Sequence, residues 1–181
     1  MGEDENKKRE RRHQEDLERL RGFRPIDDTF MRGLFKENIP LAELVLRIIT
    51  GKPDLVLLKC ETQADMKRVT GARSVCLDAY ATDSTGKKYD IEVQRSDNGA
   101  DPHRARYHSS MLDIEYRDNS DIGRLMHDFN CTNASDMYFD LLAEKTRYLK
   151  ENPKGVNEMC KVMEDLRNES YAEGREEQAK S

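Results

Sequence analysis

The chain has 181 residues, of which 37% are charged and 36% hydrophobic, with no tryptophan and a net charge of −5. This length favours one domain, and this composition favours a thin apolar core with extended helices or tails. The negative net charge gives no general electrostatic signal for a polyanion partner. No apolar run reaches the length of a membrane span, so we expect a cytoplasmic protein with no membrane partner.

The cysteines are far apart along the chain and include no CxxC pair. They are Cys60, Cys76, Cys131 and Cys160. This spacing predicts neither a zinc site nor a disulfide framework, and the histidines likewise lack zinc-site spacing. We interpret the cysteines as small buried hydrophobes in a reducing compartment.

Residues 1–22 form a charged lead-in segment whose few apolar residues include Leu17 and Leu20. We interpret it as solvated, whether or not it forms a helix, because it lacks an apolar face to bury.

From Phe23 onwards apolar residues become more frequent. Asp27 or Asp28 can cap a helix that carries the apolar residues Phe30, Leu34 and Phe35.

The next helix is predicted between Asn38 and Gly51, with Pro40 near its first turn. Its apolar stripe consists of Leu41, Leu44, Val45, Ile48 and Ile49. The run from Leu55 to Cys60 then predicts a short strand.

A β-hairpin is predicted next, because apolar and polar residues alternate on both sides of a short turn. The alternating apolar positions are Val75, Leu77, Ala79 and Ala81, followed after the turn by Tyr89, Ile91 and Val93. The loop of residues 84–86 suits a type I turn with a left-handed Gly86, so that Asp83 closes against Lys87. This register places Tyr80 opposite Asp90 and Asp78 opposite Glu92.

The predicted register brings two carboxylates into direct opposition. Side chains opposed in this way lie roughly 5 Å apart at their β-carbons, so Asp78 and Glu92 would repel each other without a cation. A hard divalent ion such as Mg²⁺ would remove that repulsion, because it prefers oxygen ligands. The alternative is that these acids simply form the solvated face of an antiparallel hairpin.

The run Leu77-Asp-Ala-Tyr-Ala-Thr-Asp83, followed by Tyr89-Asp-Ile-Glu-Val-Gln94, resembles the signature of the PD-(D/E)XK nuclease family transposases, also called Rpn-type recombination-promoting nucleases. This resemblance implies that Asp78 and Glu92 are metal ligands and that Gln94 replaces the lysine of most relatives. The Gln94 amide can still orient an attacking water. The Val93 carbonyl is a further candidate ligand.

The helix predicted from Asp101 and Pro102 onwards includes Arg106 and Tyr107, which match an Arg-plus-Tyr helix of the family. An arginine beside a metal-bound phosphate would stabilise developing charge; otherwise it belongs to a surface helix. Asp90 is a further auxiliary candidate, with a structural role opposite Tyr80 as the alternative.

After Asp113 the family pattern is interrupted, as if by an internal deletion that removes a strand and helix and leaves a sheet edge uncovered.

Residues 118–171 are predicted to form a helical C-terminal region, and residues 172–181 a charged tail. The helical region contains three apolar stripes. The first consists of Ile122, Leu125, Met126 and Phe129, and the second consists of Tyr138, Leu141, Leu142, Tyr148 and Leu149. The last consists of Val156, Met159, Met163 and Leu166. Pro153 and Gly155 are predicted to break the chain between the last two. These helices are candidates for homo-oligomer contacts.

The expected fold is therefore α/β: residues 23–117 form a truncated, restriction-endonuclease-like mixed sheet core, followed by the helical extension. The implied function is Mg²⁺- or Mn²⁺-dependent endonucleolytic hydrolysis of DNA, associated with recombination or transposition. The alternative is a catalytically inactive nuclease remnant that acts as a protein-interaction module. A DNA-binding module without chemistry is disfavoured by the balanced charge and would show steep salt dependence.

Overall fold

The computed structural model describes residues 3–62, 79–94, 111–113 and 119–180. This part of the chain has a mixed α/β fold in which helices predominate. Its helices are α1 (Glu3–Gly22), α2 (Asp28–Phe35), α3 (Ile39–Thr50), α4 (Asp121–Asn130), α5 (Asp140–Glu151) and α6 (Pro153–Lys180), and its strands are β1 (Leu57–Thr62), β2 (Ala79–Asp83), β3 (Lys88–Gln94) and β4 (Met111–Asp113). A 3₁₀ turn, Ala134–Asp136, lies between α4 and α5.

Helix α1 is solvated over its first half and packed over its second. Residues 5–15 are exposed, whereas Asp16 and Leu20 are buried. The Asp16 carboxylate pairs with Arg167 of α6 through two hydrogen bonds of 2.6 and 2.8 Å. The expectation of a lead-in without a buried face is therefore wrong for the last two turns, because a single leucine and a paired acid are enough to dock them.

Helix α3 begins and ends where the sequence predicts. The Asn38 side chain accepts a hydrogen bond from Leu41 N, Pro40 lies in the first turn, and Gly51 ends the helix with φ 64°. Leu41 and Val45 of the predicted stripe are fully buried. Helix α2 also begins at the predicted place, although Asp27 accepts from Arg24 N instead of capping α2 with its side chain.

The described strands form one mixed sheet in the order β1-β2-β3-β4. The first two pairings are antiparallel and the β3–β4 pairing is parallel, with Glu92 beside Met111 and Gln94 beside Asp113. The side of β3 away from β2 is occupied by β4. The helix predicted from Asp101 onwards was expected to reach Met111. This prediction is wrong at Met111, because the residue lies in β4 and its backbone pairs with β3.

One face of the sheet packs against the helices. Cys60, Ala81 and Tyr89 are buried on this face, and the Cys60 thiol lies 3.8 Å from the carbonyl oxygen of Phe35 in α2. Burial raises the pKa of the Cys60 thiol to about 11. Cys60 therefore behaves as the small buried hydrophobe that the sequence predicts.

Helix α4 is capped by Ser120, whose hydroxyl accepts a hydrogen bond from Gly123 N. The predicted break at Pro153 separates α5 from α6, but Gly155 lies inside the first turn of α6. A β-carbon at Gly155 would lie 2.1 Å from the carbonyl oxygen of Tyr148, so this glycine allows the two helices to meet closely. Helix α6 continues to Lys180, through most of the segment predicted as a frayed tail.

The described helices and the sheet share one hydrophobic core. Its largest fully buried side chains include Phe30, Phe35, Leu34, Leu41, Leu46, Leu125, Met126, Phe129 and Leu142. Met159 and Met163 of α6 are also buried there, as the apolar stripe predicted. Lys150 of α5 joins chain segments around this core, because its ammonium donates to the carbonyl oxygens of Arg21, Phe23 and Thr132.

Candidate functional site

The β2–β3 hairpin has the register that the sequence predicts. Ala79 pairs with Ile91, Tyr80 with Asp90, and Ala81 with Tyr89. The turn also has the predicted form, since Asp83 N donates to Lys87 O at 2.9 Å and Gly86 N to Asp83 O at 3.0 Å. Gly86 has φ 83°, which favours glycine.

Asp83 is the residue that stabilises this turn. Its buried carboxylate accepts hydrogen bonds from Thr85 N (2.9 Å), Thr85 Oγ1 (2.7 Å), Lys87 N (2.9 Å) and the Tyr89 hydroxyl (3.0 Å). These bonds, led by that of the Thr85 hydroxyl, outweigh burial and lower the pKa of Asp83 to about 2. Asp83 is therefore a structural carboxylate at the closed end of the hairpin.

The predicted site residues of β3 occupy alternate positions. Residues 90, 92 and 94 share one face of the sheet, and Lys88 on the same face is exposed, whereas Tyr89 on the other face is buried. Positions 90 and 92 therefore alternate along β3 with the position of buried Tyr89. Val93 lies between them and Gln94, and its backbone is part of the β3–β4 ladder.

Strand β4 adds an acidic residue that sequence reasoning did not place at the site. Asp113 pairs with Gln94 in the parallel ladder, so it occupies the same face one strand away, at a spacing of about 4.8 Å. Nothing in the local sequence indicates this pairing, because Met111 and Leu112 were predicted as part of a helix. The described face therefore combines three acidic positions, which are Asp90, Glu92 and Asp113.

Asp78, Arg106 and Tyr107 lie outside the described residues. The opposition of Asp78 and Glu92 therefore stays a prediction, as do the phosphate-binding role of Arg106 and the auxiliary role of Tyr107. The neighbouring pair Tyr80–Asp90 has the register on which that opposition was based.

A second group of ligand-type side chains lies at the C-terminal end of α4. Nδ1 of His127 is 3.2 Å from Oδ1 of Asp128 and 3.5 Å from Sγ of Cys131. The three residues could hold a metal ion, since their ligand atoms all lie within 4.8 Å of one another. Burial, Asp128 and Asp136 together raise the pKa of the Cys131 thiol.

The sequence did not predict this second group, because its cysteines include no CxxC pair and its histidines lack the usual spacing of a zinc site. The available signal was the spacing of His127 and Cys131, which are four residues apart and therefore one helical turn apart. Asp128 gave no signal of its own, because acidic residues are frequent throughout this chain.

Comparisons with protein-family models, with curated proteins and with solved structures found no match to this chain. The resemblance to the nuclease family therefore rests on the motif residues alone. A search of the described helices for a segment both long and apolar enough to cross a bilayer found none.

Proposed function

We propose that this protein is a metal-dependent DNA endonuclease whose site lies on the outer face of the β2–β3 hairpin. The observation that supports the proposal is the hairpin register, which pairs Tyr80 with Asp90 and so continues towards an Asp78–Glu92 pair. An association with recombination or transposition follows from the family resemblance alone and belongs to the same proposal.

The donor set of this face suits a hard divalent cation. Asp90 and Glu92 of β3 and Asp113 of β4 are all oxygen donors at neighbouring positions of one face. Mg²⁺ and Mn²⁺ prefer carboxylate, carbonyl and water oxygens, and one or two carboxylates are enough to bind Mg²⁺. Asp78 and Glu92 would hold the ion, with the Val93 carbonyl as a third ligand and Asp90 acting through water.

Each remaining residue then has a defined task. When bound, the ion supplies charge stabilisation at the phosphate and a nucleophilic water at neutral pH. The Gln94 amide accepts from and donates to that water, and so fixes its direction of attack. Arg106 would bind the phosphate through its guanidinium, and Tyr107 would position the same helix or donate its hydroxyl.

The test is cleavage of supercoiled plasmid in Mg²⁺ or Mn²⁺ by the intact chain and by Asp78→Ala and Glu92→Ala. We expect both variants to lose nicking by about a hundredfold or more, because the ion contributes several kcal/mol and each 1.4 kcal/mol is about tenfold in rate. The matched control is Glu144→Ala, which removes an exposed acid of α5 and should leave nicking unchanged.

Two outcomes would contradict the endonuclease proposal. Absence of nicking by an intact chain with normal circular dichroism would remove it in favour of the inactive remnant. Nicking that survives both substitutions would show that the site lies elsewhere or that the activity is a contaminant.

The interaction-module alternative is favoured by large apolar side chains exposed on the C-terminal helical region. Tyr138 is 60% exposed, Leu141 43% and Tyr171 70%. The methionines of α6 do not add to this surface, because Met159 and Met163 are buried. Under this alternative, sedimentation would reveal a self-associating species, and Leu141→Ser with Tyr171→Ser would dissociate it.

A further inference from the structure

We propose that His127, Asp128 and Cys131 form a zinc-binding site at the junction of α4 and α5. The ligands would be Nδ1 of His127, Oδ1 of Asp128 and Sγ of Cys131, with a water molecule in the fourth position. This inference concerns a different part of the molecule from the proposed endonuclease site and does not depend on it.

Two of the three distances between the ligand atoms match those around a tetrahedral zinc ion, and all three ligand atoms lie within 4.8 Å of one another. Zinc lies about 2.0–2.1 Å from nitrogen and about 2.3 Å from sulfur. Tetrahedral angles then separate a nitrogen and a sulfur ligand by roughly 3.5 Å, and a nitrogen and an oxygen ligand by roughly 3.4 Å. The observed separations are 3.5 Å for His127 Nδ1 and Cys131 Sγ, and 3.2 Å for His127 Nδ1 and Asp128 Oδ1. Because Cys131 Sγ also lies 3.9 Å from Nε2, the imidazole must turn on binding so that Nδ1 points at the ion.

The Asp128 carboxylate is fully buried and held in place by the start of α5. It accepts hydrogen bonds from Tyr138 N at 2.9 and 3.0 Å and from Phe139 N at 2.8 Å. Each carboxylate oxygen has two lone pairs, so these amides leave a lone pair of Oδ1 for a metal. Hydrogen bonds of this kind orient a ligating carboxylate and increase the affinity of the site.

The His127 ring is also constrained, because it packs on the ring of Tyr138 with centroids 4.8 Å apart. Its side chain is 48% exposed, so ions and water can reach the imidazole ring. Three protein ligands with an accessible fourth position are the arrangement of open zinc sites, whereas closed structural sites have four.

The chemistry of the donors selects the metal. A thiolate and an imidazole favour zinc over Mg²⁺ and Ca²⁺, which prefer oxygen ligands. Binding replaces the Cys131 thiol proton by the metal, and that proton passes to solvent. The competing interpretation is a hydrogen-bonded cluster without metal, in which the Cys131 thiol donates to Asp136 O at a distance of 3.7 Å.

The test uses the full chain after treatment with a chelator, titrated with Co²⁺ and then with Zn²⁺. We expect one thiolate-bound Co²⁺ per chain, with the visible absorption of a tetrahedral ion and a near-ultraviolet thiolate-to-cobalt band. Both signals should disappear when Zn²⁺ displaces Co²⁺. Zn²⁺ should also raise the melting temperature, because a ligand that binds only the folded state stabilises it.

Cys131→Ser and His127→Ala should weaken Zn²⁺ binding by about a hundredfold or more, since loss of an outer partner alone costs ten- to a hundredfold. The matched control is Cys160→Ser, which removes a half-buried cysteine of α6 outside the group and should retain the cobalt spectrum. Far-ultraviolet circular dichroism establishes that each variant is folded. A spectrum without the thiolate band, or one that Cys131→Ser retains, would overturn the proposal.

Discussion

A few buried carboxylates account for much of the local order in this protein. Asp83, Asp128 and Asp16 are each at most 6% exposed, and each accepts at least two hydrogen bonds. A buried acid is costly unless such donors compensate for its lost hydration. These three carboxylates therefore hold together backbone and side-chain groups from different parts of the fold.

The lowered pKa of Asp83 makes the stability of the folded state decrease at low pH. Its pKa in the folded state, about 2, lies below the ordinary value of 3.8. The folded state therefore binds fewer protons than the unfolded state in this interval, and the stabilisation is complete above about pH 4 and is lost as the pH falls through about 2. We expect Asp83→Asn to lower the melting temperature at pH 7 by a few degrees and to lose this part of the acid dependence, as measured by thermal unfolding between pH 7 and 2.

The control for this prediction is Asp54→Asn, an exposed acid before β1. For Asp54→Asn, the melting temperature should fall with pH in parallel with that of the parent chain. If the melting temperature of Asp83→Asn also runs parallel to that of the parent chain, Asp83 does not contribute to the loss of stability in acid.

At the scale of elements, the attachment of α1 to α6 is the clearest tertiary contact that its sequence did not suggest. Arg167 reaches Asp16 across 151 residues of chain with a bidentate geometry. The Arg167 side chain is 37% exposed, and the hydrogen bonds to Asp16 raise the pKa of Arg167. The pair therefore combines an ion pair with two well-formed hydrogen bonds at the edge of the core.

We expect Arg167→Ala to lower the free energy of unfolding by about 1–3 kcal/mol, because it leaves the Asp16 carboxylate buried without its principal donor. Arg11→Ala is the matched control, since Arg11 pairs with Glu15 at 3.0 Å but is 83% exposed. That change should cost about 0.5 kcal/mol or less. Chemical denaturation measures both values, and equal losses would show that the Asp16–Arg167 contact does not hold α1.

At the scale of the whole molecule, the helical C-terminal region and the segment that precedes the hairpin share their core. Leu34 and Phe35 of α2 belong to the same buried cluster as Leu125 of α4 and Met159 of α6. Helix α6 contacts α2 closely enough that a β-carbon at Gly33 would lie 2.3 Å from Sδ of Met159. The two regions are therefore expected to unfold together.

Leu34→Ala and Leu125→Ala should each lower the stability of one common unfolding transition by about 2–5 kcal/mol, because both leucines are fully buried. Leu141→Ala, at a leucine that is 43% exposed, should cost about 1 kcal/mol or less. Calorimetry checks the number of transitions. Two separate transitions, each affected by only one of the buried substitutions, would show that the regions are independent.

Sequence alone determined the features that depend on near neighbours. Asn38, Pro40 and Gly51 define the ends of α3, and the loop of residues 84–86 defines the hairpin register, because caps and turns satisfy backbone groups within a few residues. The same locality explains why the acidic alternation of β3, which includes Glu92, could be predicted as a candidate metal-binding face.

Only the tertiary structure decided which distant groups meet. It paired Gln94 with Asp113, docked Asp16 on Arg167, and brought the start of α5 onto Asp128. Strand pairing, ion pairs and buried carboxylates gain their free energy from partners far along the chain, so local periodicity carries no information about them. The outer sheet face was inferred from alternation within β3 alone and stays a prediction. The spacing of His127 and Cys131 was present in the sequence, whereas the hydrogen bonds that hold Asp128 depend on the packing of α5 against α4.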